Sequence, residues 1–256
     1  MLKLFNRSSG ATLPEGRRVY AIGDIHGRRD LLFALCRKIT RDNRVRGPVS
    51  QTDIILLGDL IDRGPESAGV LRFAMESQPP FAIMSTIKGN HEALFLEVAA
   101  GETARLASWL YHGGREMLES FGIDSGLLDD PETNAEAIVD AMHRQVPRAV
   151  HDWIAALPLS IRIGDYLFVH AGIRPGVAID DQVEDDLLWI REEFLDSDVE
   201  HGATIVHGHT VTPAIVDRRN RIGLDTGAYR SDRLSAVGLE GNERWFLDAG
   251  KGDLRH

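Results

Sequence analysis

The chain has 256 residues, enough for one large domain or two small ones with a proper core. Its 29 Lys and Arg stand against 39 Asp and Glu, a formal charge of −10, which argues against a nucleic-acid groove or an anionic membrane surface as the main partner, since either needs a cationic face. With 43% apolar and 27% charged residues, disordered, collagenous and coiled-coil classes fall away.

Residues 1–16 mix basic and apolar side chains without the continuous apolar run of a signal peptide or membrane span. They read as a loosely ordered leader, and the protein as cytoplasmic. Arg18-Val19-Tyr20-Ala21-Ile22 is a strand ending at Gly23-Asp24, and Leu31, Leu32, Leu35 and Ile39 carry helical spacing after it. The single cysteine, Cys36, belongs to that apolar helix and reads as a buried core thiol, which agrees with a reducing compartment. Asp53-Ile54-Ile55-Leu56-Leu57 runs into Gly58-Asp59, and Phe81-Ala82-Ile83-Met84 runs towards Gly89-Asn90-His91. From about 92 to 157 the periodicity turns helical, interrupted by Gly113-Gly114, Gly122 and Asp129-Asp130-Pro131. This is either a helical cap inserted in the main fold or a set of helices extending its outer layer. Strands follow at 159–163 and 166–170 about a Gly164-Asp165 turn, then a helix over 180–195 with acids in its first turns. Further strands are expected at 204–207, 221–225, 234–239 and 244–247. Strands that alternate with helices predict an α/β layered fold, with residues 17–256 as a single domain. Trp109, Trp153, Trp189 and Trp245 show no stacking pattern and are expected to pack.

Five clusters sit at or just after strand ends: Gly23-Asp24-Ile25-His26-Gly27, Gly58-Asp59-Leu60-Ile61-Asp62-Arg63-Gly64, Gly89-Asn90-His91-Glu92, His170-Ala171-Gly172 and His207-Gly208-His209. Open α/β sheets place their ligands at that edge. The carboxylates, imidazoles and amide suit Mn²⁺, Fe or Zn²⁺, and no soft thiolate competes. Asp24 and His26, two apart, form a natural pair on one ion if extended geometry persists into the loop. Asp59 can supply a bridging carboxylate, while Asn90, His170 and His209 approach from further along the chain. Six groups with one bridge serve two ions, which in hydrolytic sites sit ~3.5–4 Å apart and acidify a shared water.

These clusters resemble the signature of the phosphoprotein phosphatase family within the calcineurin-like metallophosphoesterases, in particular its short bacterial and phage branch, from about residue 19 to 228. The resemblance implies a four-layer α/β/β/α sandwich with a dinuclear centre between the loops of two facing sheets. It further implies Asp24, His26 and Asp59 on the first ion and Asp59, Asn90, His170 and His209 on the second. His207 is left as a neighbouring or core histidine. A related branch has Gly-His-x-His, but position 211 is Val, so the first ion lacks that extra imidazole. His91, paired with Asp62, would be the general acid, since a carboxylate favours imidazolium. Arg63 would offer a planar fork to two phosphate oxygens. Arg191, in Trp189-Ile190-Arg191-Glu192, is the candidate second phosphate-binding arginine, against the plainer reading of an exposed helix residue. Tyr229 either lines the pocket mouth or packs elsewhere.

The function implied is a metal-dependent Ser/Thr-type protein phosphatase in which metal-activated hydroxide attacks phosphorus and His91 protonates the departing oxygen. Two divalent ions, Mn with Fe or Zn compatible, are its cofactors, and a phosphorylated protein or small phosphoester is its partner. The alternative is a bis(5'-nucleosyl)-tetraphosphatase, which shares the scaffold but resembles this chain less at Asp62-Arg63 and at Asn90-His91-Glu92. The Gly113-Gly114-Arg115 loop leaves that alternative open, because a cap of this sort can recognise a nucleotide. A non-catalytic phospho-ligand binder would have lost a ligand or the acid, and here every one is present.

Overall fold

The computed structural model describes residues 10–254; positions 1–9 of the expected leader lie outside the described residues. Residues 10–16 run between the two sheets' margins, where Thr12 N–H donates to Asp165 (2.9 Å), Leu13 N–H donates to Gly241 O (2.9 Å) and the Leu13 side chain is buried.

The chain opens with β1 (Arg17–Ile22), α1 (Arg29–Arg46), β2 (Gln51–Leu56), α2 (Ser67–Glu76) and β3 (Ile83–Thr86). β1, β2 and β3 are parallel neighbours, the arrangement that helical crossovers produce. β3 starts two residues later than the apolar run suggests, because Pro79-Pro80 opens a turn in which Ala82 N–H donates to Pro79 O (3.0 Å). The helical stretch follows as α3 (Asn90–Ala99), α4 (Leu106–Trp109), α5 (Arg115–Ser120), α6 (Ala135–Gln145) and α7 (Arg148–Ala155). Next come β4 (Ser160–Ile163), β5 (Tyr166–Val169), α8 (Glu184–Trp189), α9 (Glu192–Leu195), β6 (Thr204–His207), β7 (Val216–Asp217) and β8 (Arg221–Gly223). The chain closes with α10 (Ala228–Ser231), β9 (Arg233–Glu240) and β10 (Glu243–Gly250).

Two five-stranded mixed sheets result, in the orders β10-β9-β1-β2-β3 and β4-β5-β6-β8-β7. Strand alternation builds the layers. Tyr20 and Ile22 of β1 face the cluster formed with Leu31, Leu32, Val70 and Leu71 of α1 and α2 and with Ile138, Met142 and Ile154 of α6 and α7. Their neighbours Val19 and Ala21 face the opposite way and meet Tyr166 and Phe168 of β5, Val206 of β6 and Ile222 of β8. Leu167 and Val169, the other face of β5, pack with Leu187, Ile190 and Phe194 under α8 and α9. The order is therefore helix, sheet, sheet, helix.

The single helix expected over 180–195 is two short helices with Arg191 between them in a non-helical conformation (φ −132°, ψ −102°). Leu187, Ile190 and Phe194 are buried on either side of the break, so helical spacing reads straight through it. Cys36 is half-buried against the first cluster, and burial pushes its thiol up to about 12. Among the described residues no helix is long and apolar enough to cross a membrane.

Candidate functional site

Every expected ligand stands just past a strand end, and the two sheets aim those ends at each other. Asp24 and His26 follow β1, Asp59 follows β2, Asn90 opens α3 after β3, His170 follows β5 and His209 follows β6. The turns that carry them are unusual backbone. Six non-glycine residues among the described ones have positive φ, and five of them are His26, Asp59, Asp62, Arg63 and His209. Left-handed conformations are costly for such residues and persist where the surroundings over-determine them.

Asp59 is the centre of the arrangement. Its Oδ2 lies 3.5 Å from His26 Nε2 and 3.9 Å from His91 Nε2, while its Oδ1 lies 3.4 Å from His170 Nε2. One carboxylate thus turns an oxygen to each of two groups, His26-Asp59-His91 and Asp59-His170-His209, whose ligand atoms lie within 4.8 Å of one another. Asn90 joins the second group, with Oδ1 2.8 Å from His170 Nε2 and 2.9 Å from His209 Nδ1. Asp24 stands beside these groups rather than within one, accepting His209 N–H at 3.0 and 3.2 Å.

The imidazole tautomers fit a cation. His26 Nδ1–H donates to Ile61 O and His170 Nδ1–H donates to Leu57 O, both at 2.8 Å, which leaves each Nε2 with its lone pair turned inward. Backbone carbonyls hold metal-ligating imidazoles in this way. His170 Nε2 then faces the Asn90 oxygen and the Asp59 oxygen, acceptor against acceptor, an arrangement that a cation between them relieves. His209 Nε2 is buried with no hydrogen-bond partner. Two glycines permit the close approach: a β-carbon on Gly208 would overlap Asp24 Oδ1, and one on Gly89 would overlap Asp59 Oδ1.

Burial lowers the pKa of His26 and His170, and with His170 beside it takes His209 to about 2, so these three imidazoles are neutral. Burial acts against ionised Asp59, but His170, His91, His26 and His209 hold its pKa far below the usual carboxylate range. Asp24 is pushed well up by burial and by Asp225 and Asp59. Buried anions that repel one another in this way are what a multivalent cation neutralises.

His91 Nδ1–H donates to Asp62 Oδ2 at 2.5 Å, and both side chains are buried. Burial works against charge on His91, yet Asp59 and the bonded Asp62 outweigh it and its pKa is raised. Arg63 stretches across the group: Nη1 donates to His26 Nε2 (2.8 Å), Nη2 donates to His91 Nε2 (2.9 Å), and the guanidinium lies 4.7 Å over the Tyr229 ring. Tyr229 therefore belongs to the site, its ring edge-on to His26 at 5.4 Å. A cavity of about 360 Å³ opens beside His91, lined in part by Arg63, Arg105, Trp189 and Arg191. Arg191 Nη1 reaches Thr210 Oγ1 (3.3 Å), next to His209. His207 stays apart, its ring edge-on to Phe194.

Three residues have roles here that the sequence pattern leaves unassigned. Asp225 is buried beside Asp24, and burial raises its pKa to about 6; its only signal was a carboxylate after a strand ahead of Thr226-Gly227. Glu92 accepts the N–H groups of Asp59, Leu60 and Gly89 at 2.8–2.9 Å, fixing the Asp59 turn to the start of α3. Its place three residues after the Gly89 cap was the available clue. Trp109, expected only to pack, donates its indole N–H to Asp62 Oδ2 at 2.8 Å.

Two facing sheets whose strand ends converge on a carboxylate shared between two imidazole groups define a metal-dependent phosphoesterase. The chain belongs to the calcineurin-like phosphoesterase family, which it matches over residues 17–248. That family uses a dinuclear divalent metal centre, and the His and Asp cluster fits one. The serine/threonine-protein phosphatase 1 of Salmonella typhimurium (strain LT2) is 29% identical over 232 residues, 88% of this chain and 93% of that protein. The symmetrical bis(5'-nucleosyl)-tetraphosphatase of Neisseria meningitidis serogroup A is 34% identical over 157 residues, 61% of this chain and 44% of that protein. Among solved structures a cold-active protein tyrosine phosphatase shares the fold, with TM-score 0.58, 16% identity and coverage of 96% of this chain and 83% of that one.

Proposed function

We propose that the chain hydrolyses phosphomonoesters, with phosphoserine and phosphothreonine in proteins as its substrates. The observation that carries this reading is the Asp62–His91 pair set against the split carboxylate of Asp59. In support, the likeness to the Salmonella phosphatase extends over nearly all of both chains.

Asp24, His26 and Asp59 would hold one ion, and Asp59, Asn90, His170 and His209 the other; manganese is our choice for a set of carboxylate, imidazole and amide donors without thiolate, and iron or zinc would suit it too. Such a pair supplies an acidified water and positive charge for a phosphoryl group. The chain's own residues do the rest. His91 gives its Nε2 proton to the departing seryl or threonyl oxygen, and Asp62 keeps the opposite nitrogen protonated. Two donors cannot point at each other, so Arg63 leaves His91 Nε2 when that atom is protonated and turns its fork to phosphoryl oxygens. Arg191 approaches from the α8–α9 break as a second anion contact.

The second reading is hydrolysis of a dinucleoside tetraphosphate. The cavity favours it, because Trp189, Arg105 and Arg191 offer an aromatic face and added positive charge next to His91. The test strips the protein of metal, restores Mn²⁺, Fe²⁺ or Zn²⁺ singly, and compares phosphoserine, phosphothreonine and phosphotyrosine peptides with diadenosine tetraphosphate. Higher kcat/KM on phosphoserine and phosphothreonine peptides is expected, and preference for the dinucleotide selects the other reading. His91→Asn keeps its metal and loses about 10²-fold or more in kcat on phosphoserine peptide; unchanged turnover removes His91 from the reaction.

A further inference from the structure

Asp62 is held by very little. Its backbone is left-handed (φ 71°), Oδ1 is buried without a hydrogen-bond partner, and Oδ2 receives two donors, His91 Nδ1–H (2.5 Å) and Trp109 Nε1–H (2.8 Å). Without the indole, His91 would be the one group holding the carboxylate it relies on. Trp109 comes from the helical stretch between β3 and β4, at the end of α4. Immediately after it the helical backbone kinks at Gly113, a left-handed residue (φ 117°, ψ −1°), before α5. Here Gly113 O accepts the N–H of Arg63 (3.0 Å), and a β-carbon on Gly113 would overlap the Arg63 backbone. Gly114 lies flat against the indole, with no room for a β-carbon. One turn of the helical stretch therefore grips two successive residues, Asp62 by its side chain and Arg63 by its backbone.

We propose that Trp109 is a positioning residue for proton transfer: its indole N–H fixes the Asp62 carboxylate so that His91 presents Nε2 to the leaving oxygen, which makes the helical stretch part of the catalytic apparatus. This rests on the assignment of His91 as the acid. The plainer account is a buried tryptophan that needed any acceptor for its N–H. The two differ in what the loss of the bond does. A packing defect slows every substrate alike; a misplaced acid slows only substrates whose leaving group needs a proton.

Trp109→Phe keeps most of the ring volume and removes the donor. Its kcat on phosphoserine peptide should fall about tenfold or more, the size expected for a hydrogen bond to a charged group. Its kcat on p-nitrophenyl phosphate, whose leaving group departs without protonation, should fall far less, with KM and metal content unchanged. In a His91→Asn background the Trp109→Phe effect on phosphoserine peptide should vanish, because residues acting through one another are not additive. Gly114→Ala is the second variant: its helical backbone (φ −63°, ψ −24°) accepts alanine, so the substitution displaces the indole without deleting it. It should show the same selectivity for leaving group. Equal losses on both substrates, or an undiminished effect of Trp109→Phe in the His91→Asn background, overturn the proposal. Failure of His91→Asn itself to affect phosphoserine hydrolysis instead overturns the assignment of the acid.

Discussion

A β-carbon at position 208 would occupy the space of Asp24 Oδ1, and the same carboxylate accepts the N–H of His209. Two candidate ligands thus depend on one missing methyl group. Gly208 is not forced into left-handed backbone, so Gly208→Ala is a steric change alone. We expect it to push Asp24 away from His209 and to weaken metal binding about 10- to 100-fold, the usual cost of disturbing the groups that orient a ligand. Titration of the stripped variant with Mn²⁺, followed by metal analysis, checks this; wild-type affinity would show that Asp24 needs no such approach. Residues of this kind divide what the sequence could reveal from what it could not. Asp24, His26, Asp59, Asn90, His170 and His209 announce themselves by chemistry next to glycine at strand ends. Asp225 and Trp109 carry no local mark, because their importance lies in what they touch: Asp24 from a strand 200 residues later, and Asp62 from the helical stretch.

At the scale of elements, the break between α8 and α9 changes the direction of Arg191. A continuous helix would satisfy the buried face equally, since Leu187, Ile190 and Phe194 keep their places below the second sheet. What the break adds is an exposed arginine that reaches Thr210 beside His209 and borders the cavity next to His91. Arg191→Ala is therefore expected to raise KM for a phosphopeptide about threefold to tenfold while kcat changes less, the pattern of lost uniform binding. Its melting temperature should stay at the wild-type value, because the side chain is exposed and packs no core. Steady-state kinetics beside a thermal melt separate the two effects, and an unchanged KM would return Arg191 to the role of an ordinary surface residue. The strands that build the site could be read from apolar runs ending in Gly-Asp or His. The two-residue strand β7 and the kink at Arg191 could not, since neither alters the apolar period.

At the scale of the molecule, the centre ties the two sheets together. Asp24, His26, Asp59 and Asn90 come from the first sheet's side, His170 and His209 from the second. Between them lie four buried aspartates, Asp24, Asp59, Asp62 and Asp225, in a chain whose formal charge is already −10. Apart from cations, what offsets this repulsion is Arg63, His91 and the backbone N–H groups donated to Asp24 and Asp225, so the metal-free fold carries a residual repulsion that bound ions would relieve. Ions that bind the folded chain and not the unfolded one stabilise it by RT ln(1 + [L]/Kd), about 2.7 kcal/mol per site at a hundredfold excess over Kd. For a chain of this size each kcal/mol moves the melting temperature by roughly 2–4 °C, so one such site corresponds to a shift of about 5–11 °C. Chelation should lower the melting temperature by at least that amount, and restored Mn²⁺ should return it. Gly208→Ala should need more Mn²⁺ to recover the same temperature, because its Kd is larger. If melting ignores both chelator and metal, the strand ends converge on something other than cations, since no ion could bridge these two sheets at the buried aspartates and leave their unfolding unaffected.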